Sequence, residues 1–407
     1  LSRRQRQMCI RDSCSSMERL LITLILVCTM SNITNAQNPF YGQYHTPHGT
    51  VPFDRIETEH YEPAILEGIK LQNAEIEAII QNPEKADFSN TIEAFEESGE
   101  LLDKVVAVFG NMLSAETNDD LQELAQKIMP LLSEHSNNIT LNEKLFARVK
   151  EVYNQKETLQ LTQEQKQLLE NAYNSFVRHG ANLEGEAREE YRRLTNELSK
   201  LTLTFSENNL KETNAYQMLL TKKESLAGLP EIIIEAAAET AKSEEKEGWA
   251  FTLHAPSYIP FMTYSDNRDL RQKLYMAYNT KCTHDNEFNN IDIVKNIANT
   301  RMKIAQLLGY KDYAEYTLKK RMAENSESVY KLLNQLLEAY APTAQQEYKE
   351  IQELAREEQG DDFVVMPWDW SYYSNKLKDK KFNINEEMLR PYFELEQVKR
   401  GVFGPVS

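Results

Sequence analysis

Apolar residues between Val329 and Ala355 recur every three or four positions, and this spacing constrains the fold more than any other feature of the chain. The series contains Val329, Leu333, Leu336, Tyr340, Ala344, Tyr348, Ile351 and Ala355. Residues at this spacing lie on one side of an α-helix. Pro342 interrupts the series, and proline both removes a backbone donor and clashes with the preceding turn. The pattern therefore predicts a long helix that is kinked or split at Pro342.

Three further segments carry helix or helix-boundary signals. Residues 90–112 show helical periodicity, with Gly99 as a weak point. Residues 163–209 predict one extended helix that ends near residues 208 and 209. Residues 226–230 (LAGLP) combine glycine with proline, so they predict a turn before a helix over residues 231–241.

Strand signals are scarce. Residues 249–253 (WAFTL) alternate apolar and polar side chains, which is typical of a half-buried strand, and residues 216–220 are its candidate partner. A chain of 407 residues also exceeds the length at which one hydrophobic core keeps growing, so two lobes are expected. The sequence predicts a mainly α, two-lobed fold with one small β-hairpin.

Composition and charge limit the possible partners. A hydrophobic content of 41% with 27% charged residues is ordinary for a globular protein and argues against disorder. The formal net charge is −17 at pH 7. Because an acidic protein repels the phosphate backbone, the charge argues against nucleic acid as a partner.

Residues 17–36 have the order of a secretory signal peptide. Met17-Glu18-Arg19 precedes the apolar run of residues 20–30, which is about half as long as a membrane span needs. Thr34 and Ala36 supply small residues at the −3 and −1 positions of a cleavage site before Gln37. A buried helix is the alternative, and lipid attachment at Cys28 is a weaker one. The pattern predicts an exported, periplasmic protein without a membrane span, and we interpret residues 1–16 as a non-native leader.

Motifs that carry chemistry are absent from the sequence. The mature chain would keep only Cys282, so it can form neither an internal disulfide nor a cysteine zinc site. We expect this cysteine to be a small surface or half-buried residue. No histidine begins an H-E-x-x-H motif, and no G-x-S-x-G or phosphate-binding glycine loop occurs. The histidines are His45, His48, His60, His135, His179, His254 and His284.

Two histidine patterns are candidate sites in the sequence. Glu57 and His60 match the Glu-x-x-His spacing of carboxylate-bridged di-metal sites, but that chemistry needs a second copy, which the sequence lacks. His284 lies near acidic residues, and an exposed polar turn explains it more simply. We therefore assign no catalytic, cofactor-binding or metal-binding residue in this chain.

Residues 366–393 (MPWDWSYYSNKLKDKKFNINEEMLRPYF) combine an aromatic cluster with an Arg-Pro-Tyr-Phe end. From the residues alone, they predict a buried aromatic cluster, an amphipathic helix and a stop at Pro391. The order W-D-x-x-Y-Y followed by R-P-Y-F resembles the zinc metallopeptidases of the peptidyl-dipeptidase and thimet-oligopeptidase type. Further segments resemble motifs of this family in the family's order: Asn38–Phe40 with Val51–Ile56, Phe88–Gly99, Phe205–Asn208, Gly248–Tyr264 and Asn267–Arg271.

This resemblance implies an N-terminal portion of a bacterial, exported family member. The family fold is mainly helical, with two lobes around a channel that admits short unfolded peptides. The family's zinc is held by two histidines and one glutamate, and none of these maps onto the present sequence. The implied reaction is cleavage of short peptides with release of C-terminal dipeptides, and the implied cofactor is zinc in the full-length protein.

The resemblance also gives a domain division. After the signal peptide that the residues themselves predict at 17–36, the resemblance places an N-terminal helical region at residues 37–240 and the start of a catalytic lobe at residues 241–407, which stops before the metal-binding helix. Residues 404–407 (GPVS) depart from the family pattern. The alternative function is a helical peptide-binding or scaffold module without chemistry.

Expression from Met17 tests the signal-peptide prediction. We expect cleavage after Ala36, because the short apolar run ends in small residues. Mass-spectrometric mapping of the N-terminus should find Gln37, cyclised or not. Intact Met17 in the soluble cytoplasm would contradict the prediction.

Overall fold

The computed structural model describes residues 38–383 and 386–404. As predicted, the described backbone is mainly α-helical with one two-stranded sheet. It divides into two compact units, which we call unit 1 (residues 38–200 and 307–309) and unit 2 (residues 201–306 and 310–404). The leader and signal-peptide predictions lie outside the described residues. The predicted domain division at residue 240 stays a prediction.

Unit 1 is built from helices whose starts are stabilised by side-chain caps. Asn118 and Asn142 each accept a hydrogen bond from a first-turn backbone N–H, and Thr162 forms a capping box with Gln165. Short 3-10 turns occur at Pro39–Tyr41, Pro47–Gly49 and Phe53–Arg55. The helical elements are α1 (Thr58–Gln81), a π-helical turn (Phe88–Glu93), α2 (Ala94–Glu96), α3 (Glu100–Ala115), α4 (Asp119–Thr140), α5 (Glu143–Asn154), α6 (Gln163–Arg178) and the first part of α7 (Gly185–Ala215).

One hydrophobic cluster of unit 1 lies between α1, α5, α6 and the π-helical turn. Phe146 stacks on Phe176 with ring centroids 5.8 Å apart. Leu145, Val149 and Val152 are fully buried beside them. The spacing of these α5 residues by three or four positions explains why the segment forms an amphipathic helix.

Glycines divide two of the predicted helices. Gly99 has a φ of +85°, and a Cβ at this position would overlap the side chain of Gln72, so the predicted helix over residues 90–112 is interrupted there. The predicted single helix over residues 163–209 is also wrong, because α6 ends in a Schellman motif at Gly180 (φ +85°). In that motif, the N–H of Ala181 donates to the carbonyl of Phe176. The following helix, α7, then continues to Ala215.

Unit 2 contains the sheet and the second set of helices. Its 3-10 turns are Lys223–Leu226, Pro367–Asp369 and Arg390–Tyr392. The remaining elements are β1 (Met218–Leu220), α8 (Glu231–Ser243), β2 (Trp249–Phe251), α9 (Ala255–Tyr264), α10 (Arg268–Asn279), α11 (Ile291–Leu307), α12 (Tyr313–Leu318), α13 (Ser326–Gln359), α14 (Trp370–Phe382), α15 (Glu386–Leu389) and α16 (Leu395–Phe403).

The predicted hairpin partners do pair. Strands β1 and β2 are antiparallel, with Leu219 opposite Ala250. Gly248 precedes β2 with a φ of +112°, and a Cβ there would overlap the Leu220 carbonyl oxygen, so this position requires glycine. Phe251 and Phe261 are fully buried with ring centroids 4.6 Å apart, and they join the sheet to α9.

The long helix α13 runs through Pro342 without splitting. Proline removes one backbone hydrogen bond, and the carbonyl that loses its partner belongs to Glu338, which is exposed to water. The helix therefore tolerates the proline at a site where solvent replaces the missing donor. Among the described residues, no helix is long and apolar enough to cross a membrane.

His135 of α4 is a buried polar residue in unit 1. Its Nε2 lies 2.7 Å from the Gln72 side-chain oxygen, and the Gln72 amide donates to the Ser98 carbonyl oxygen at 3.3 Å. The amide oxygen can only accept, so Nε2 carries the proton of the neutral ring. Burial lowers the pKa of His135 below its ordinary value of 6.5.

The lowered pKa predicts that His135 destabilises the folded chain in mild acid. Above pH 6.5 the ring is neutral in both the folded and unfolded chains, so it contributes no pH dependence. Below pH 6.5 the unfolded chain binds a proton that the folded chain does not, and the free energy of unfolding falls by at most about 1.4 kcal/mol per pH unit. His135→Gln should remove this part of the pH dependence in urea titrations at pH 7.5 and 5.5.

His45→Gln serves as the control for this measurement, because His45 is exposed. It should keep the pH dependence of the unaltered chain. If His135→Gln also kept it, other groups would be responsible for the loss of stability in acid.

Candidate functional site

The W-D-x-x-Y-Y segment places one carboxylate in the interior of unit 2. Asp369 ends the 3-10 turn Pro367–Asp369 and is fully buried. Its Oδ2 accepts a hydrogen bond of 3.0 Å from the backbone N–H of Met366, which closes the turn.

Two arginines at the start of α10 neutralise this carboxylate. Arg271 Nη2 lies 2.8 Å from Asp369 Oδ1, and Arg268 Nη2 lies 2.7 Å from Asp369 Oδ2. Arg271 is 1% exposed, so the ion pair it forms with Asp369 is shielded from solvent. The two arginines lie three residues apart on one side of the helix, which lets both reach the same carboxylate.

Backbone carbonyls accept three further hydrogen bonds from the two guanidinium groups. Arg271 donates to the carbonyl oxygens of Ser265 (2.7 Å) and Trp368 (3.2 Å). Arg268 donates to the carbonyl oxygen of Val364 at 2.9 Å. These bonds satisfy the buried charges, which would otherwise carry a large desolvation cost.

Aromatic rings cover the guanidinium planes. The Arg271 guanidinium lies 4.1 Å from the centroid of the Tyr372 ring, and that of Arg268 lies 4.3 Å from the Phe363 ring. The Tyr372 hydroxyl donates to Asp266 at 2.8 Å, and burial raises the pKa of this tyrosine. We call Arg268, Arg271, Asp369 and Tyr372 the arginine–aspartate cluster.

The role of the arginine–aspartate cluster is to hold segments of unit 2 in position. Asp369 is buried, and both of its oxygens are occupied by ion pairs with the two arginines, so the carboxylate faces no open space in which a substrate could lie. The cluster instead joins three segments of unit 2: the start of α10, the 3-10 turn Pro367–Asp369 and the first turn of α14. It fixes the direction in which α14 leaves the turn.

The aromatic cluster that was predicted to be buried is buried only in part, and the separate R-P-Y-F end is exposed. Tyr372 and Tyr373 are buried, whereas Trp370 is 41% exposed. Tyr392 and Phe393, in the R-P-Y-F end, are 80% and 67% exposed. The segment therefore packs at its start and presents apolar rings to solvent at its end.

A cleft of about 1150 Å³ lies in unit 1, between the segment that starts at Asn38 and helices α1 and α3. Lys104 donates to the carbonyl oxygens of Phe40 (3.3 Å) and Gly42 (2.9 Å) and lies 3.9 Å from the centroid of the Tyr44 ring. Burial lowers the pKa of Lys104. These contacts hold the segment against α3 and pair no nucleophile with a base.

The structure explains the Glu57–His60 pattern as a helix start. The backbone N–H of Glu57 donates to Nδ1 of His60 at 2.9 Å, which is half of a capping box at the start of α1. His284 is exposed and hydrogen-bonds Thr280 at 3.2 Å, as expected of a polar turn. Neither histidine is grouped with other metal ligands among the described residues.

Cys282 differs from expectation because it is buried, with 5% of its surface exposed. Its backbone N–H donates to the Glu212 carboxylate. Burial, together with this carboxylate, raises the pKa of the thiol to about 11. The thiol is therefore protonated at neutral pH and is not an activated nucleophile.

Within residues 38–383 and 386–404, no three His, Cys, Asp or Glu side chains are close enough to hold a metal ion. A protein zinc site needs at least three such ligands. The residues that the structure describes therefore do not fit the zinc that the sequence resemblance implies.

The pairing in the arginine–aspartate cluster was not predicted from the sequence. Both of its motifs were visible, as N-R-x-x-R at residues 267–271 and W-D at residues 368–369. The only available signal was a single acidic residue inside an aromatic run, since such a residue needs a cation if it is buried.

Removal of the buried carboxylate tests the structural role of the cluster. Asp369→Ala leaves Arg271 buried without a counter-charge, so the free energy of unfolding should fall by about 3–5 kcal/mol. Urea titration followed by tryptophan fluorescence measures this loss, because Trp368 adjoins the cluster.

Asp292→Ala is the matched control. Asp292 pairs with Lys295 at 3.1 Å on the surface of α11 and is 88% exposed, so its removal should leave the urea midpoint unchanged within error. Equal losses for the two variants would show that the cluster stabilises unit 2 no more than a surface pair does.

Comparison with known proteins places these motifs in a family. Residues 261–406 match the model of Peptidase family M3. The chain is 35% identical to dipeptidyl carboxypeptidase of Escherichia coli (strain K12) over 90% of this chain and 54% of that protein. It is 31% identical to oligopeptidase A of the same strain, over 89% of this chain and 54% of that protein.

A plant relative gives a similar match. The chain is 29% identical to a probable cytosolic oligopeptidase A of Arabidopsis thaliana, over 92% of this chain and 54% of that protein. The chain thus spans about half the length of the curated relatives it matches. Residues 261–406 therefore belong to Peptidase family M3, and the motif order indicates the same type of peptidase, the thimet-oligopeptidase and peptidyl-dipeptidase type.

Proposed function

We propose that this chain is part of a zinc-dependent peptidase that cleaves short unfolded peptides and releases dipeptides from their C-termini. The observation that carries the proposal is the match to dipeptidyl carboxypeptidase of Escherichia coli, which extends over 90% of the chain at 35% identity. A match of this extent includes both described units rather than a single motif.

The chain's own contribution to this function is structural. No three metal ligands lie together among the described residues, so in this proposal these residues carry out no catalytic step. They supply the arginine–aspartate cluster, which fixes α10 and α14 in unit 2. In this proposal the zinc ligands and the reacting groups come from polypeptide outside the described residues.

We also propose that the peptidase acts in the periplasm. The support for this location is the signal-peptide pattern at residues 17–36, which lies outside the described residues. Peptides in that compartment are the substrates that such an enzyme would meet.

Assays of residues 37–407 and of a chain extended through the downstream reading frame test the proposal. The short chain should release no dipeptide from an N-blocked tripeptide and hold no stoichiometric zinc, because zinc catalysis needs three converging protein ligands. The extended chain should do both. Mass spectrometry of the products and elemental analysis of the protein measure the two properties.

Dialysis against a chelator, followed by zinc, provides the control, since it should abolish and restore turnover by the extended chain. Chelator-sensitive turnover by the short chain would place a metal site within residues 37–407, against the structural role proposed for it. A downstream frame without H-E-x-x-H would contradict the peptidase and favour the non-catalytic peptide-binding module.

A further inference from the structure

Helix α13 carries one apolar stripe along its whole length. At about 100° of rotation per residue, Tyr330, Leu337, Tyr348, Ile351 and Ala355 lie within about 60° of one another around the helix axis. The stripe therefore continues from the first turns of the helix to its last turns. Packing against this stripe is what would bury the helix in unit 2.

The C-terminal third of the stripe is covered. Ile351 is 3% exposed and Ala355 is fully buried, and both pack with Tyr372 and Tyr373 of α14. The side chain of Gln352 fixes the same region, since it donates to the Phe363 carbonyl oxygen at 2.7 Å and accepts from the Val365 N–H at 3.0 Å.

The first two-thirds of the stripe are uncovered. Tyr330, Leu337 and Tyr340 are 64%, 64% and 65% exposed. Between residues 326 and 349 every residue is exposed except Val329 and Ala341, which are half-buried. The cover ends where Tyr348 stacks on Trp370 with ring centroids 6.4 Å apart.

The composition of this exposed part is that of a buried helix. Residues 329–348 contain three charged side chains, Lys331, Glu338 and Glu347, in a chain that is 27% charged. Apolar side chains predominate over about half of the circumference, from Ala341 round to Leu332, with Thr343 and Glu347 as the polar residues in that arc. A solvated helix face is normally polar, so this face requires a cover.

The breadth and charge of the face indicate what covers it. Helices that lie on membranes have a polar side rich in Lys and Arg, whereas this segment has a single lysine. A pair of identical helices buries a narrower seam than half of the circumference. The breadth of the face therefore favours a helical polypeptide that packs on α13 from more than one side.

We propose that residues 329–348 form a docking surface for helical polypeptide from the portion of the M3 chain that this chain does not match. The argument for that occupant is length and continuity. The match covers 54% of dipeptidyl carboxypeptidase, so roughly half of that relative lies outside it. Helix α14 covers the C-terminal end of the stripe, and the occupant covers the remainder of the same stripe. For the source of this polypeptide, the inference rests on the proposed function.

Co-expression tests the docking surface. The full chain is expressed with a tagged fragment of Escherichia coli dipeptidyl carboxypeptidase that comprises the portion outside the match, and the complex is purified by the tag. We expect co-purification at a ratio of one to one. Leu337→Lys should reduce the recovered chain at least about tenfold, because it places a charge at the centre of the apolar face.

Gln335→Lys is the matched control, since Gln335 lies on the polar side of the same turn and is exposed. It should co-purify like the unaltered chain. Both variants should keep the circular-dichroism spectrum of the unaltered chain, because neither position is buried. Equal recovery of Leu337→Lys and the unaltered chain would overturn the inference.

A second arm uses the intact relative, so that an insoluble fragment cannot decide the result. Lysine is placed at the positions of dipeptidyl carboxypeptidase that align with Leu337 and with Gln335. The first substitution should lower the melting temperature by several degrees, and the second should not. Unchanged melting for both substitutions would overturn the inference.

Two further outcomes separate the inference from the proposed function. A one-to-one complex that releases no dipeptide would count against the function and support the docking surface. A dimer of this chain alone that Leu337→Lys dissociates, seen by sedimentation velocity, would make a second copy the occupant and overturn the inference.

Discussion

The buried carboxylate of Asp369 is the constraint on which the arrangement of unit 2 depends. A fully buried charge is tolerated only where cations and donors surround it, and here two arginines and the backbone N–H of Met366 do so. These groups come from the start of α10 and from the turn before α14. Because the carboxylate requires all of them together, it fixes where α14 begins and which side of it faces α13.

The sequence predicted correctly those elements whose conformation depends on residues close to one another in the chain. The period in residues 329–355, the turn at residues 226–230 and the hairpin strands were all confirmed, since each depends on neighbours in the chain. The error fell where one residue outweighs a pattern, since at Gly180 a Schellman motif ends a helix that the pattern would continue. At Pro342 the predicted alternatives were a kink or a split, and the helix is not split.

The arginine–aspartate cluster lay beyond such reasoning because its members are about one hundred residues apart, with Arg271 and Asp369 separated by 98 positions. Spacing in sequence carries no information about that distance. The helix-start role of His60 was equally hidden, because a Glu-x-x-His pattern is compatible with a cap as well as with a metal site. What the sequence could supply was the motif order, and the matches to Peptidase family M3 confirm the family it indicated.

The cluster and the apolar stripe of α13 are two parts of one arrangement. By fixing the start of α14, Asp369 determines that Tyr372 and Tyr373 cover the stripe near Ile351 and that the cover stops at Trp370. Polar interactions with strict geometry thus set the position of the boundary, and non-directional apolar burial provides the driving force on either side of it. The exposed apolar surface of α13 therefore has a fixed edge at Trp370. A helix that covered this surface would begin its contacts at that edge.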